Sequence, residues 1–121
     1  MNWNITAGRP VYVQLIEQLE LALVAGEFPP GSRIPPVREL AADAGVNPNT
    51  MQRAMSDLER EGLVYSQRTS GRFITEDTAM IEKMREELAT TQIRDFFEKM
   101  QQMGFDTEKT IALIERIMKE G

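Results

Sequence analysis

Between Gly31 and Ile74 the sequence packs two short helical patterns, a three-residue turn and a basic hairpin into one run. In the first pattern Val37, Leu40, Ala41 and Ala44 recur at i, i+3, i+4 and i+7, which stacks them on one helical face. Pro35-Pro36 opens this helix, because the missing proline N–H has no intrahelical partner in the first turn. Gly45 ends it, since glycine enters the left-handed conformation of a helix C-terminus without steric cost. Asn47-Pro48 then starts the second helix with a side-chain oxygen that accepts a backbone N–H, followed by proline at the first position. Met51, Ala54, Met55 and Leu58 repeat the core spacing, and Gly62 stops the helix.

What remains of the second helix is its solvent side: Asn49, Thr50, Gln52, Arg53 and Ser56. No acidic residue lies between Gly45 and Ser56, although the chain carries 19 carboxylates against 14 basic side chains. Arginine reads guanine, and asparagine or glutamine reads adenine, through paired hydrogen bonds in the major groove, so this face suits a recognition helix. Leu63-Val64-Tyr65-Ser66 and Arg72-Phe73-Ile74 are β-prone runs around the polar loop Gln67–Gly71, which predicts a hairpin. Arg68 and Arg72 are expected to place positive charge at its tip, where it can meet a phosphate or a minor groove. Helix, tight turn, helix and basic hairpin in that order predict a winged helix-turn-helix.

These residues resemble the GntR-type bacterial transcription regulators over roughly Pro10 to Ile74. The landmarks run in order: Pro10-Val11-Tyr12, Gly26-Glu27-Phe28-Pro29-Pro30-Gly31, Arg33-Ile34-Pro35 and Val37-Arg38-Glu39-Leu40-Ala41. They continue with Val46-Asn47-Pro48-Asn49-Thr50, Leu58-Glu59-Arg60-Glu61-Gly62-Leu63 and Gly71-Arg72-Phe73. The short C-terminal part is similar to the YtrA-like branch, whose members carry two helices after the wing in place of a large ligand-binding domain. The resemblance implies DNA contacts at Arg38, Asn47, Asn49, Thr50, Arg53 and the wing glycine Gly71. Two positions depart from the pattern: Pro36 stands where many members have serine, and Thr69 takes the first place of a frequent Gly-x-Gly in the wing. Gln52, Arg68 and Arg72 complete the DNA-binding set on the residue argument alone.

The predicted fold class is mainly α (α+β), with a winged helix-turn-helix over residues 1–76 and a two-helix dimerisation or regulatory tail over 77–121. Ahead of the run, Pro10 starts a helix with Tyr12, Leu15, Ile16, Leu19, Ala22 and Leu23 facing inward. In the tail, Thr78 to Gln102 reads as one helix whose apolar stripe shifts around Thr90-Thr91, where a bend is expected. Gly104-Phe105 breaks that helix, and Asp106 caps a last one carrying Ile111, Ile114, Ile117 and Met118. So short a helical pair cannot bury this much apolar surface alone, which predicts a homodimer through the C-terminal helices. The dimer would set two recognition helices on one double-stranded DNA operator of pseudo-palindromic sequence.

The net charge of −5 fits a DNA binder only when it is divided. Residues 1–75 carry seven basic and eight acidic side chains, whereas residues 76–121 carry seven and eleven. The acidity therefore sits in the tail, and the DNA-facing charge is local to Arg38, Arg53, Arg68 and Arg72. With no histidine and no cysteine, the chain lacks a catalytic triad, a thiolate nucleophile and the usual metal-ligand sets. No catalytic residue, metal site or cofactor is read from it. Absence of cysteine and of any long apolar run agrees with a cytoplasmic protein without membrane contact.

Trp3, Phe96 and Phe97 are candidates for lining the pocket of a small-molecule effector, but subunit packing is the favoured role because aromatics are enriched at interfaces. The eight methionines fall at core or interface spacing. The function read here is a sequence-specific, DNA-binding transcriptional regulator that represses. The rival reading is a protein-interaction module on a winged-helix scaffold without DNA binding.

Overall fold

Two prolines launch helices from just outside them. Helix α1 (Val11–Val24) follows Pro10, whose carbonyl accepts the Gln14 N–H at 3.3 Å. Helix α2 (Val37–Ala44) follows Pro36 in the same way, with the Leu40 N–H at 3.0 Å from the Pro36 carbonyl. Pro36 is thus the cap and not the first helical residue: it keeps an extended ψ of 151°, and it bars the residue before it from the helical region. Gly45 closes α2 with φ of 71°, the left-handed conformation expected there. Helix α3 (Pro48–Arg60) begins as its sequence predicts, the Asn47 side-chain oxygen accepting the Asn49 N–H at 2.8 Å.

The computed structural model describes residues 1–121 and divides into two compact units, Met1–Arg85 and Glu86–Gly121. In the first unit the buried positions are those of the helical stripes: Leu15 and Leu19 on α1, Leu40 and Ala41 on α2, and Met51, Ala54, Met55 and Leu58 on α3. Each fully buried leucine or methionine contributes about 1.5–3 kcal/mol, which fastens α1 and α2 to α3 and fixes which side of α3 stays outside.

Strands β1 (Val64–Gln67) and β2 (Gly71–Ile74) form an antiparallel hairpin with Tyr65 opposite Phe73 and Ser66 opposite Arg72. Its turn is Arg68-Thr69-Ser70, shorter than the loop read from sequence, because the ladder extends to the pair Gln67 and Gly71. The rings of Tyr65 and Phe73 stack across the strands with centroids 5.8 Å apart. Beyond β2 the segment Gly31–Ile34 adds a third edge. The Ile34 N–H bonds the Arg72 carbonyl at 3.0 Å, the Ile74 N–H bonds the Ser32 carbonyl at 2.8 Å, and Arg33 bridges to Phe73.

The N-terminal lead-in is tied to α1 by two amides. Gln14, only 3% exposed, donates to the Thr6 and Arg9 carbonyls at 2.8 and 3.0 Å and accepts the Thr6 N–H at 2.9 Å. Gln18 exchanges a similar pair of bonds with the backbone of Asn4.

Helix α4 (Thr78–Gln102) spans the division between the units. Its first turns belong to the first unit: Ile81 and Met84 are buried, and the Arg85 guanidinium donates to the Val24 carbonyl at 2.8 and 3.1 Å. That carbonyl ends α1 and has no helical partner of its own. The first unit therefore runs past residue 76 to Arg85.

In the second unit α4 continues unbroken through Thr90-Thr91. After the turn at Gly104, Asp106 caps helix α5 (Thr107–Glu120), accepting the Lys109 N–H at 2.8 Å. Thr110 is buried and donates to the Asp106 carbonyl, while Phe96 and Phe97 meet edge to face. Ile93, Phe96, Ile111, Ile114, Ile117 and Met118 all stay exposed. No helix is long and apolar enough to cross a membrane.

Candidate nucleic-acid interface

Burial of Met51, Ala54, Met55 and Leu58 turns the opposite side of α3 to solvent, so Asn49, Gln52 and Arg53 are exposed and Thr50 is partly so. Asn47 sits at the head of this face with its side-chain oxygen committed to the cap, which leaves its amide N–H groups to donate outward. Arg38, in the first turn of α2, is exposed and makes no ion pair. Asp43, near the other end of α2, instead accepts from the Trp3 indole at 3.0 Å. Arg53 has no carboxylate partner either, but its guanidinium lies 3.9 Å over the Tyr12 ring of α1. Such a stack is worth about 0.5–1 kcal/mol at an exposed site and leaves the N–H edge of the guanidinium open.

The wing carries less free charge than its sequence implies. Arg68 occupies the exposed turn as expected and makes no ion pair. Arg72 does not reach the tip: it stands within β2 opposite Ser66, and its Nε donates to Glu59 of α3 at 2.6 Å. Glu59 also accepts the Ser66 hydroxyl, and Arg72 approaches the Gln52 carbonyl oxygen at 3.5 Å. Those two hydrogen bonds, from Ser66 first and Arg72 second, hold the Glu59 carboxyl below the usual carboxylate range. Arg72 is consequently neutralised and fastens the wing to α3. Alternation along β2 turns Arg72 toward α3, a consequence of register that the charge pattern alone does not carry.

Gly71 adopts φ of 101°, a conformation that favours glycine, and Arg33 closes over it. Arg33 enters the sequence reading only as part of a landmark. The signal that would have found it is alternation in Ser32-Arg33-Ile34, where the buried Ile34 sends its neighbour to the other side. Arg33, Gln52, Gly71 and Arg72 line one cleft of about 260 Å³ together with Pro35 and Pro36. The structure thus brings Gln52, Gly71 and Arg72 together.

Larger open clefts of about 470 and 440 Å³ lie elsewhere on the first unit, against α1 with Gln18 and Leu21 and against α2 with Glu39 and Asp43. Trp3 lines neither.

Residues 11–74 match the family described as bacterial regulatory proteins, gntR family. The whole chain is 32% identical over 121 residues to YhcF of Bacillus subtilis, an HTH-type transcriptional regulator, and spans 100% of both chains. It is 40% identical over 75 residues to the HTH-type transcriptional repressor YtrA of the same organism, covering 60% of this chain and 58% of that one. Among solved structures, a GntR family transcriptional regulator from Listeria monocytogenes superposes with a TM-score of 0.84 at 32% identity, over 92% of this chain and 97% of that one.

Proposed function

The chain belongs to the gntR family of bacterial regulatory proteins and is a DNA-binding transcriptional regulator; from that premise we propose that it is a cytoplasmic repressor, occupying a pseudo-palindromic operator as a homodimer. The observation that carries this reading is the exposed face of α3 from Asn49 to Ser56, free of acidic residues and standing beside the wing, with Arg38, Arg53 and Arg68 all lacking a carboxylate partner.

Asn49, Gln52 and Arg53 read base edges in the major groove. Arg38, Asn47 and Thr50 set the register on phosphates or base edges, and Arg68 brings the wing to the backbone. Gly71 and Arg72 shape the wing that presents Arg68. The exposed apolar residues of α4 and α5, among them Ile93 at 56% and Ile117 at 54% exposure, support dimerisation through the C-terminal helices.

The test is a footprint and a gel-shift titration on a duplex selected from a random pool, with sedimentation of the free protein. A sedimenting dimer protecting two half-sites about one helical turn, or a multiple of it, apart is the expected result. Failure to retard any duplex even at low salt would overturn the reading in favour of an interaction module.

A further inference from the structure

Arg33 combines a held backbone with an unpaired side chain. Its backbone is fixed, because the segment Gly31–Ile34 is hydrogen-bonded to the outer edge of β2 and bridges to Phe73. The side chain is exposed and has neither a carboxylate nor a hydrogen-bond partner in the protein. Its guanidinium nevertheless has a definite seat: Nε and Nη2 stand 3.1 and 3.4 Å from the position that a Cβ on Gly71 would occupy. Arg72, its neighbour in the same cleft, is neutralised by Glu59. Arg33 is therefore the free cation of that cleft.

The cleft itself has a direction. Gln52, on the reading face of α3, forms one wall, and Gly71, next to the turn of the wing, forms another. A duplex read by α3 and flanked by the wing carries one sugar–phosphate strand across the gap between them. A guanidinium matches a phosphate through paired N–H donors, and one left unpaired at that place needs no rearrangement to do so.

We propose that Arg33 clamps a backbone phosphate of the bound DNA beside the turn of the wing, and that Gly71 serves as its seat. This rests on the DNA-binding reading above and adds a contact and a reason for the glycine. An added Cβ at Gly71 stands 3.1 Å from the Arg33 Nε, so the guanidinium must shift by a few tenths of an ångström out of its seat, apart from any strain at the positive φ.

The experiment uses the full chain with Arg33→Gln, Arg33→Lys and Gly71→Ala, and the double variant Arg33→Gln with Gly71→Ala. Each is titrated over a range of salt against the selected operator duplex and against a duplex of mixed sequence. Arg33→Gln is expected to lose roughly five- to tenfold in affinity at 0.1 M salt on both duplexes, and its log–log salt slope to become shallower by about 0.9. Arg33→Lys, which keeps the charge, should keep the wild-type slope. Gly71→Ala should weaken binding by itself yet add less than about twofold to Arg33→Gln, since coupled residues are not additive.

Wild-type protein that binds while Arg33→Gln keeps both affinity and slope would overturn the clamp and leave the DNA-binding reading standing. A full additive loss in the double variant would overturn the seat. Wild-type protein that binds neither duplex would overturn the reading itself, and the clamp with it.

Discussion

The guanidinium of Arg53 on α3 lies 3.9 Å from the centroid of the Tyr12 ring on α1. The stack aligns a base-reading candidate before DNA arrives, so less side-chain freedom is lost on binding. Arg53→Ala should weaken operator binding by about 1–3 kcal/mol and relax preference at one position of each half-site. Tyr12→Phe should leave affinity intact, whereas Tyr12→Leu should weaken operator binding more than binding to mixed sequence. Equal titration curves for Arg53→Ala and wild type would remove Arg53 from the reading face.

Glu59 joins α3 to the wing by accepting from Ser66 and Arg72. Its carboxyl is held below the usual range, so this stabilisation is present above the unfolded carboxylate pKa and is lost as pH falls through the lower, folded value. Glu59→Ala should cost about 1 kcal/mol at neutral pH, a modest figure because the pair is partly open to solvent. Melting temperatures of the variant and the wild type should converge on acidification; a gap that persists at low pH would contradict the assignment.

Glu20 behaves in the opposite sense. Half-buried on α1, its carboxyl is pushed up to about 7, first by burial and then by Glu61 and Glu17. The folded state therefore favours the protonated form. The stability this confers is fully present below the unfolded value of about 4.3 and is lost as pH rises through about 7. Glu20→Gln should match wild type near pH 4 and exceed it at pH 8 by about 1–2 kcal/mol, after allowance for the solvent that still reaches the group. Urea midpoints at the two pH values decide the matter: an unchanged difference excludes Glu20 as the source of any pH dependence.

A chain ending at Arg85 retains Ile81, Met84 and the Arg85 bonds to Val24, and should fold as a monomer. One ending at Thr78 loses all three and should be less stable by more than about 2 kcal/mol, the scale of emptying one buried aliphatic site. Both should lose the joint affinity of two linked half-sites. Sedimentation and melting of the two truncated chains test this directly; dimerisation of the longer one would show that the segment after Arg85 is not what joins the subunits.

The reading face was legible because it depends on signals local to one element. Asn47-Pro48 caps α3 as written, and the four-residue core stripe of that helix dictates which side is left for Asn49, Gln52 and Arg53. Relations between elements were not legible in the same way. Glu59 neutralises Arg72 only because strand register turns that side chain toward α3, and Tyr12 meets Arg53 only because two helices cross there. The end of the first unit was hidden for a similar reason: helical periodicity runs smoothly through Arg85, and the change occurs in what Ile81 and Met84 pack against.

Gln14 lies within the most apolar part of α1, yet its worth comes from three backbone groups, the Thr6 N–H and the Thr6 and Arg9 carbonyls. Leucine would fill the same space and orphan all three, and glutamate would offer no donor to the two carbonyls. Mutational tolerance along α1 is therefore ordered by the number of partners a side chain satisfies as well as by hydropathy. In a saturation library Gln14 should rank with Leu15 and Leu19, and the freely variable part of the helix is narrower than its polar residues suggest.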